Sequence, residues 1–220
     1  MQAKILIAGV LFASLISCRT IKPYEYFKLN ENQVDSFVGT FTKDKTDSTY
    51  MRIEGLFPSL AVADDFKEKY EITYKTKNIE GHKAFYAIEP KDTIYYDASV
   101  GPNHFLFSAL IFEKGRVLIA PSYYLKDLRR LTFSDFKFVI PEKLSKRDTV
   151  RIVDKKKETI LHNFRFDDLT IDGKKYNHCL LIDLLIKWPD TTYYSKVWLH
   201  KKFGVLKWIR DTGRTDTRLL

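Results

Sequence analysis

Five histidines, two cysteines and a few clustered acids are the side chains here able to bind a metal, attack a carbonyl or move a proton. The histidines are His82, His104, His162, His178 and His200. No two stand in the HExxH spacing that sets a pair of imidazoles on one helix face for zinc. If the run 176–188 turns at Pro189 and pairs with 192–200, His178 and His200 fall within one or two rungs. That supplies two ligands where metal sites take three or four, so they read as ordinary strand histidines and no metal site is assigned. Cys179 lies inside an apolar run, the setting of a buried, unreactive thiol. The pairs Asp64-Asp65 and Asp167-Asp168 do not present two carboxylates together, because neighbours on a strand point to opposite faces; turn and capping roles are expected of them. Asp183 stands between Leu180-Leu181-Ile182 and Leu184-Leu185-Ile186, so its carboxylate must reach water, a partner or a cavity. There is no G-x-S-x-G elbow, P-loop or dinucleotide fingerprint, and Ser108 and Ser195 lie in strand-like runs without the sharp turn a serine nucleophile needs. No catalytic residue or cofactor is assigned, and the chain is read as a non-enzyme.

Cys18 has the clearest positional chemistry. Residues 1–18 read MQAKILIAGVLFASLISC: one lysine, a short apolar stretch from Ile5 to Ile16, a serine and a cysteine. A membrane-spanning helix needs about 20 apolar residues, so this stretch reads as a secretory h-region. Leu15-Ile16-Ser17-Cys18 resembles the lipobox of a bacterial lipoprotein signal peptide. The resemblance covers under a tenth of the chain. It implies a diacylglyceryl group on the Cys18 sulfur, usually with a third chain such as palmitate, and cleavage just before Cys18. Two or more acyl chains give stable anchoring where one does not. Arg19 replaces the aspartate that retains enterobacterial lipoproteins in the inner membrane, and residues 19–23 lack the acidic cluster of surface-exported lipoproteins. By resemblance, the protein belongs in the cell envelope, anchored in the outer membrane and facing the periplasm.

The chain carries 37 basic and 28 acidic side chains, a net charge of +9, and loss of Lys4 with residues 1–17 leaves +8. That charge favours anionic partners such as lipid headgroups or lipopolysaccharide. No nucleic-acid-binding motif is present. About 200 residues suit one domain with a real core. With Cys18 lipidated, Cys179 has no intrachain disulfide partner, so an exported fold must rely on that core.

The elements that position these residues are mostly strands. The division expected is a signal peptide at 1–17, a lipidated tether at 18–30, a single β-rich domain at 31–210 and a frayed polar tail at 211–220. Alternation of apolar and polar residues marks strands at 50–57, 70–75, 83–89, 93–96, 116–120, 136–140, 149–153, 159–166 and 169–171. The apolar run 104–112 is two-sided. Glu113-Lys114-Gly115 and Asp172-Gly173 are hairpin signals, and 78–81 is a turn cluster. The segments 176–188, 193–200 and 205–210 form an antiparallel meander. Helices are expected at 31–38 and at 123–131, the second from Tyr124, Leu125, Leu128 and Leu131 at helical spacing. Successive strands with short turns give a mainly β fold: a curved antiparallel sheet, half-barrel or sandwich-like, with one or two short helices.

Tyr194-Ser195-Lys196-Val197-Trp198-Leu199 followed by Phe203-Gly204-Val205-Leu206-Lys207-Trp208 is similar to the closing hairpin of half-barrel lipoprotein and lipoprotein-carrier folds. The similarity implies a sheet curved around a helix or an apolar cavity and transfers no site residue. The function expected is a non-catalytic binding module for an apolar or amphiphilic envelope ligand, lined by Phe105, Phe107, Ile182, Trp188, Trp198 and Trp208. The alternative is a scaffold or accessory subunit of an envelope protein complex.

Overall fold

A computed structural model describes residues 20–27, 29–42, 65–88, 109–120, 131–136, 138–154, 157–187, 189, 192–210 and 214–220. Twelve strands make one antiparallel sheet: β1 (Val34–Thr42), β2 (Asp65–Ile79), β3 (His82–Ile88), β4 (Ala109–Glu113), β5 (Arg116–Ala120), β6 (Phe138–Ile140), β7 (Val150–Asp154), β8 (Lys157–Ile171), β9 (Lys174–Lys187), β10 (Thr192–His200), β11 (Gly204–Arg210) and β12 (Arg214–Arg218). Their spatial order is β6-β5-β4-β3-β2-β1-β12-β11-β10-β9-β8-β7. Each strand therefore neighbours its successor, β12 closes onto β1, and only the seam between β6 and β7 is unpaired. Those two strands lie near each other, so the curved sheet that the closing-hairpin similarity implied is an up-and-down barrel left open at one seam.

Local chemistry explains the tight ends. Three hairpins turn on a residue followed by glycine, both at positive φ: Glu80-Gly81, Lys114-Gly115 and Asp172-Gly173. That is the pairing whose twist matches flanking strands. All three turns, with Lys201-Lys202-Phe203 and the β6–β7 connector 141–149, leave from one end of the barrel. The strand ends at Thr42, Ile88 and Ala120 lie at the other.

The inner face is apolar. Phe37, Ile72, Phe164, Leu180, Ile182 and Leu199 are at most 1% exposed and belong to one core cluster. On β2 the opposite face carries exposed Lys67, Lys69 and Glu71, the reverse of the apolar-out pattern of a lipid-facing strand. Two smaller clusters cover parts of the outer face, one of Ile79, Ala84, Ile111, Leu118 and Phe136, the other of Leu169, Tyr176, Cys179, Leu181, Trp198 and Leu206.

Several expectations change. Among the described residues the only helical pieces are 3-10 turns at Pro23–Glu25 and Phe133–Asp135. The helix expected at 31–38 is instead a turn followed by β1, because each β1 residue finds a partner on β2, from Val34↔Thr73 to Thr42↔Asp65. The tail expected to fray is β12, held between β1 and β11. The tether is no free linker but a strap: Ile21, Tyr26 and Phe27 are 1–3% exposed in the main core. Ile21 also exchanges two backbone hydrogen bonds with Leu144, of 2.9 and 2.8 Å. Segments 159–166 and 169–171 are one strand, β8, interrupted by irregularities at 162–165 and 167–169. The helix expected at 123–131, apart from Leu131, which is not helical, and the strands expected at 50–57 and 93–96, with residues 104–108, lie outside the described residues.

Candidate functional site

Register places side chains from distant segments on one inner-wall row. Val197 on β10 pairs with Ile182 on β9 and with Trp208 on β11. Trp208 pairs with Asp216 on β12, and Asp216 with Gly39 on β1. The row therefore passes from aliphatic through indole to carboxylate. Trp208 donates its indole N–H to Ser195 Oγ, and the Ser195 hydroxyl donates to the Ile209 carbonyl at 2.5 Å. One rung toward the strap end, Arg218 faces inward opposite Phe37, which stacks on Tyr70 with ring centroids 5.6 Å apart.

Asp35 and Arg218 form a buried ion pair here, their side chains 1% and 10% exposed. Gln33 Nε2 donates to Asp35 Oδ1 at 2.9 Å. The Tyr74 hydroxyl hydrogen-bonds Asp35, and burial above all, then the Asp35 charge, holds that phenol well above its ordinary value. Arg218 Nη1 has no hydrogen-bond partner among the described residues. A buried guanidinium N–H without an acceptor costs free energy unless something accepts from it. The inner wall thus joins an apolar row to a buried donor suited to a carboxylate or phosphoryl oxygen.

A second polar group lies on the outer face. Asp183 receives Arg165 Nη1 at 3.1 Å and pairs in register with His162. Asp183 Oδ1 and His162 Nε2 are buried without hydrogen-bond partners among the described residues. Asp183 therefore meets the need of its apolar setting by an ion pair.

Of the lining residues expected from sequence, Ile182 and Trp208 share the inner cluster. Trp198 faces the other way, its indole N–H donating to Asp167 Oδ2 at 3.0 Å. Phe105, Phe107 and Trp188 lie outside the described residues, as does Cys18. Asp167 and Asp168 sit in a β8 bulge, not in a turn or cap. Asp168 accepts the His178 backbone N–H at 3.0 Å and meets Lys175 Nζ at 2.9 Å. Those bonds, the side-chain one first, hold its carboxyl below the usual range. Asp64 lies outside the described residues.

His200 packs against Tyr176 and Phe203, and its Nδ1 accepts the Lys202 N–H at 3.1 Å; burial first, then the Lys202 charge, lowers its pKa. Among the described residues no group of three His, Cys, Asp or Glu side chains is arranged to hold a metal. Cys179 is fully buried, and burial above all, with Asp168 and Asp167 nearby, raises its thiol to about 11.

Sequence reasoning missed Asp35, Tyr74, Asp216 and Arg218. Apolar neighbours that would mark Asp35 as buried come from other strands, and Asp35 and Arg218 stand 183 residues apart. Comparison with protein-family models, with curated proteins and with solved structures finds no match.

Proposed function

We propose that this chain is a bacterial lipoprotein, anchored through Cys18 in the outer membrane and facing the periplasm. Its barrel serves as a non-catalytic binding module for an amphiphilic envelope ligand. The observation that carries the ligand reading is the continuity of the inner wall: Ile182, Val197 and Trp208 run directly into the buried Asp216–Arg218–Asp35–Tyr74 group. An acyl or prenyl portion matches the first part. An anionic oxygen matches Arg218 Nη1. The test is native mass spectrometry on the lipoprotein extracted in mild detergent, followed by organic extraction. One equivalent of a lipid beyond the Cys18 acyl chains is expected, and Arg218→Lys, which keeps the charge but loses the planar fork, is expected to lower its occupancy. Empty wild-type protein would overturn the ligand reading. The mass of the N-terminal peptide checks the anchor separately, and Cys18→Ser should abolish it.

A second reading, an accessory subunit of an envelope complex, is favoured by the open seam. Its edge strands expose Val139 and Val153 (70% for Val153), and unpaired edges accept an added strand. An empty barrel with a stoichiometric protein partner whose binding is lost on Val153→Lys would favour it.

A further inference from the structure

The strap packed into the main core also fixes how close the barrel stands to the proposed anchor. Ile21 is locked to Leu144 by two backbone hydrogen bonds and both side chains are buried. Cys18 precedes Ile21 by three residues, so their Cα atoms are at most about 11 Å apart. The connector that receives Ile21 is itself tied down. The Ser145 N–H and hydroxyl donate to Asp148 at 2.6 and 2.9 Å. Leu144 points into the core while Lys143, Lys146 and Arg147 around it are exposed, as is Lys22 beside Ile21. None of these four cations makes an ion pair among the described residues. Of the acids of the strap and connector, Glu25 pairs with Lys201 and Asp148 holds Ser145, which leaves exposed Glu142 to set against the four cations.

We propose that this end of the barrel is a membrane-facing surface, on which Lys22, Lys143, Lys146 and Arg147 bind the anionic headgroups of the leaflet that holds the acyl chains. The proposal rests on the Cys18 anchor. A tether of three residues spans at most about 11 Å, comparable with the screening length of roughly 8 Å at physiological salt, so it keeps these cations near that surface. Clustered Lys and Arg next to a lipid anchor are drawn to anionic lipid and supply the second signal that steadies attachment. The barrel would then stand with its short turns toward the bilayer.

The experiment is lysine acetylation, read residue by residue by mass spectrometry, on the full lipoprotein in phosphatidylcholine vesicles with and without phosphatidylglycerol. Lys22, Lys143 and Lys146 are expected to label about fivefold more slowly with phosphatidylglycerol, the factor one basic side chain gains at an anionic surface. Lys67 and Lys69, on the exposed face of β2, are expected to be unchanged. The triple variant Lys143→Glu, Lys146→Glu, Arg147→Glu should erase the difference at Lys22, while Lys67→Glu with Lys69→Glu should not. If Cys18 carries its acyl chains yet Lys143 and Lys146 label alike in both vesicles, the surface proposal falls and the anchor stands. If the Cys18 peptide carries no acyl chain, both fall.

Discussion

At the residue scale the costliest feature is the buried pair Asp35–Arg218. Breaking such a pair leaves one charge buried without its partner, and the typical cost is about 3–5 kcal/mol; replacing both partners by apolar groups is often neutral. Arg218→Met alone is therefore expected to cost about 3–5 kcal/mol in urea unfolding, and Asp35→Leu with Arg218→Met together less than either alone. Additive losses would show that the two side chains do not act as a unit. Cys179 gives a pH signature. Its folded pKa, about 11 against an ordinary 9.0, means the unfolded chain releases its thiol proton first as pH rises. Stability is therefore full below pH 9 and lost between about 9 and 11. Tyr26 adds a second loss, since burial and then Glu25 raise it from 10.0 to about 12. Urea midpoints should fall progressively above pH 9, and Cys179→Ala should flatten the lower part of that decline. Native protein at pH 8 should leave Cys179 unalkylated by iodoacetamide, whereas unfolded protein reacts.

At the element scale, what could be read from sequence depended on how local the cause was. Hairpins β4–β5 and β8–β9 were legible from Gly115 and from Asp172-Gly173, which take positive φ, and 78–81 was legible as a turn. The β9–β10–β11 meander was legible because its long apolar and aromatic runs are separated by turn residues at Pro189 and at Lys201-Lys202-Phe203-Gly204. β1 and β12 were not. Val34-Asp35-Ser36-Phe37 and Arg214-Thr215-Asp216-Thr217-Arg218 carry mixed polar residues, and what makes them strands is pairing with distant partners: β1 with β2 and β12, and β12 with β1 and β11. β8 was split because its bulges, with Asn163 at φ 54°, break the alternation without breaking the strand. In the candidate site, Ile182 and Trp208 were legible as large apolar residues, but Trp198, equally aromatic, faces outward, because composition does not report face. A chain ending at residue 213 tests the place of β12. A frayed tail would leave the urea transition unchanged. Loss of β12 opens β1 and β11 as two new edges and exposes Asp35, so the expected result is loss of the cooperative transition and aggregation.

At the scale of the whole molecule, the two ends of the chain close the barrel together. β12 pairs with β1 along one line, and the strap 20–27 enters the interior beside the open seam, where Ile21 joins the connector between β6 and β7. Such contacts span most of the chain length and form late in folding, since loop closure must precede them. Without the strap, the core around Phe166, Leu180 and Leu199 loses Tyr26 and Phe27, and the connector 141–149 loses its only described backbone partner outside itself. Ile21→Ala is therefore expected to cost about 2–5 kcal/mol, the range for a buried large-to-small change. It should also raise amide exchange at Leu144, whose N–H donates to the Ile21 carbonyl at 2.8 Å, well before exchange rises at Leu180 or Ile182 on the inner wall. Hydrogen exchange with mass-spectrometric readout on peptides covering 141–149 and 176–187 separates the cases. Selective exposure of 141–149 means the strap acts as a local clamp on the connector between β6 and β7. Equal exposure of both peptides would mean that the strap and the inner wall open as one cooperative unit.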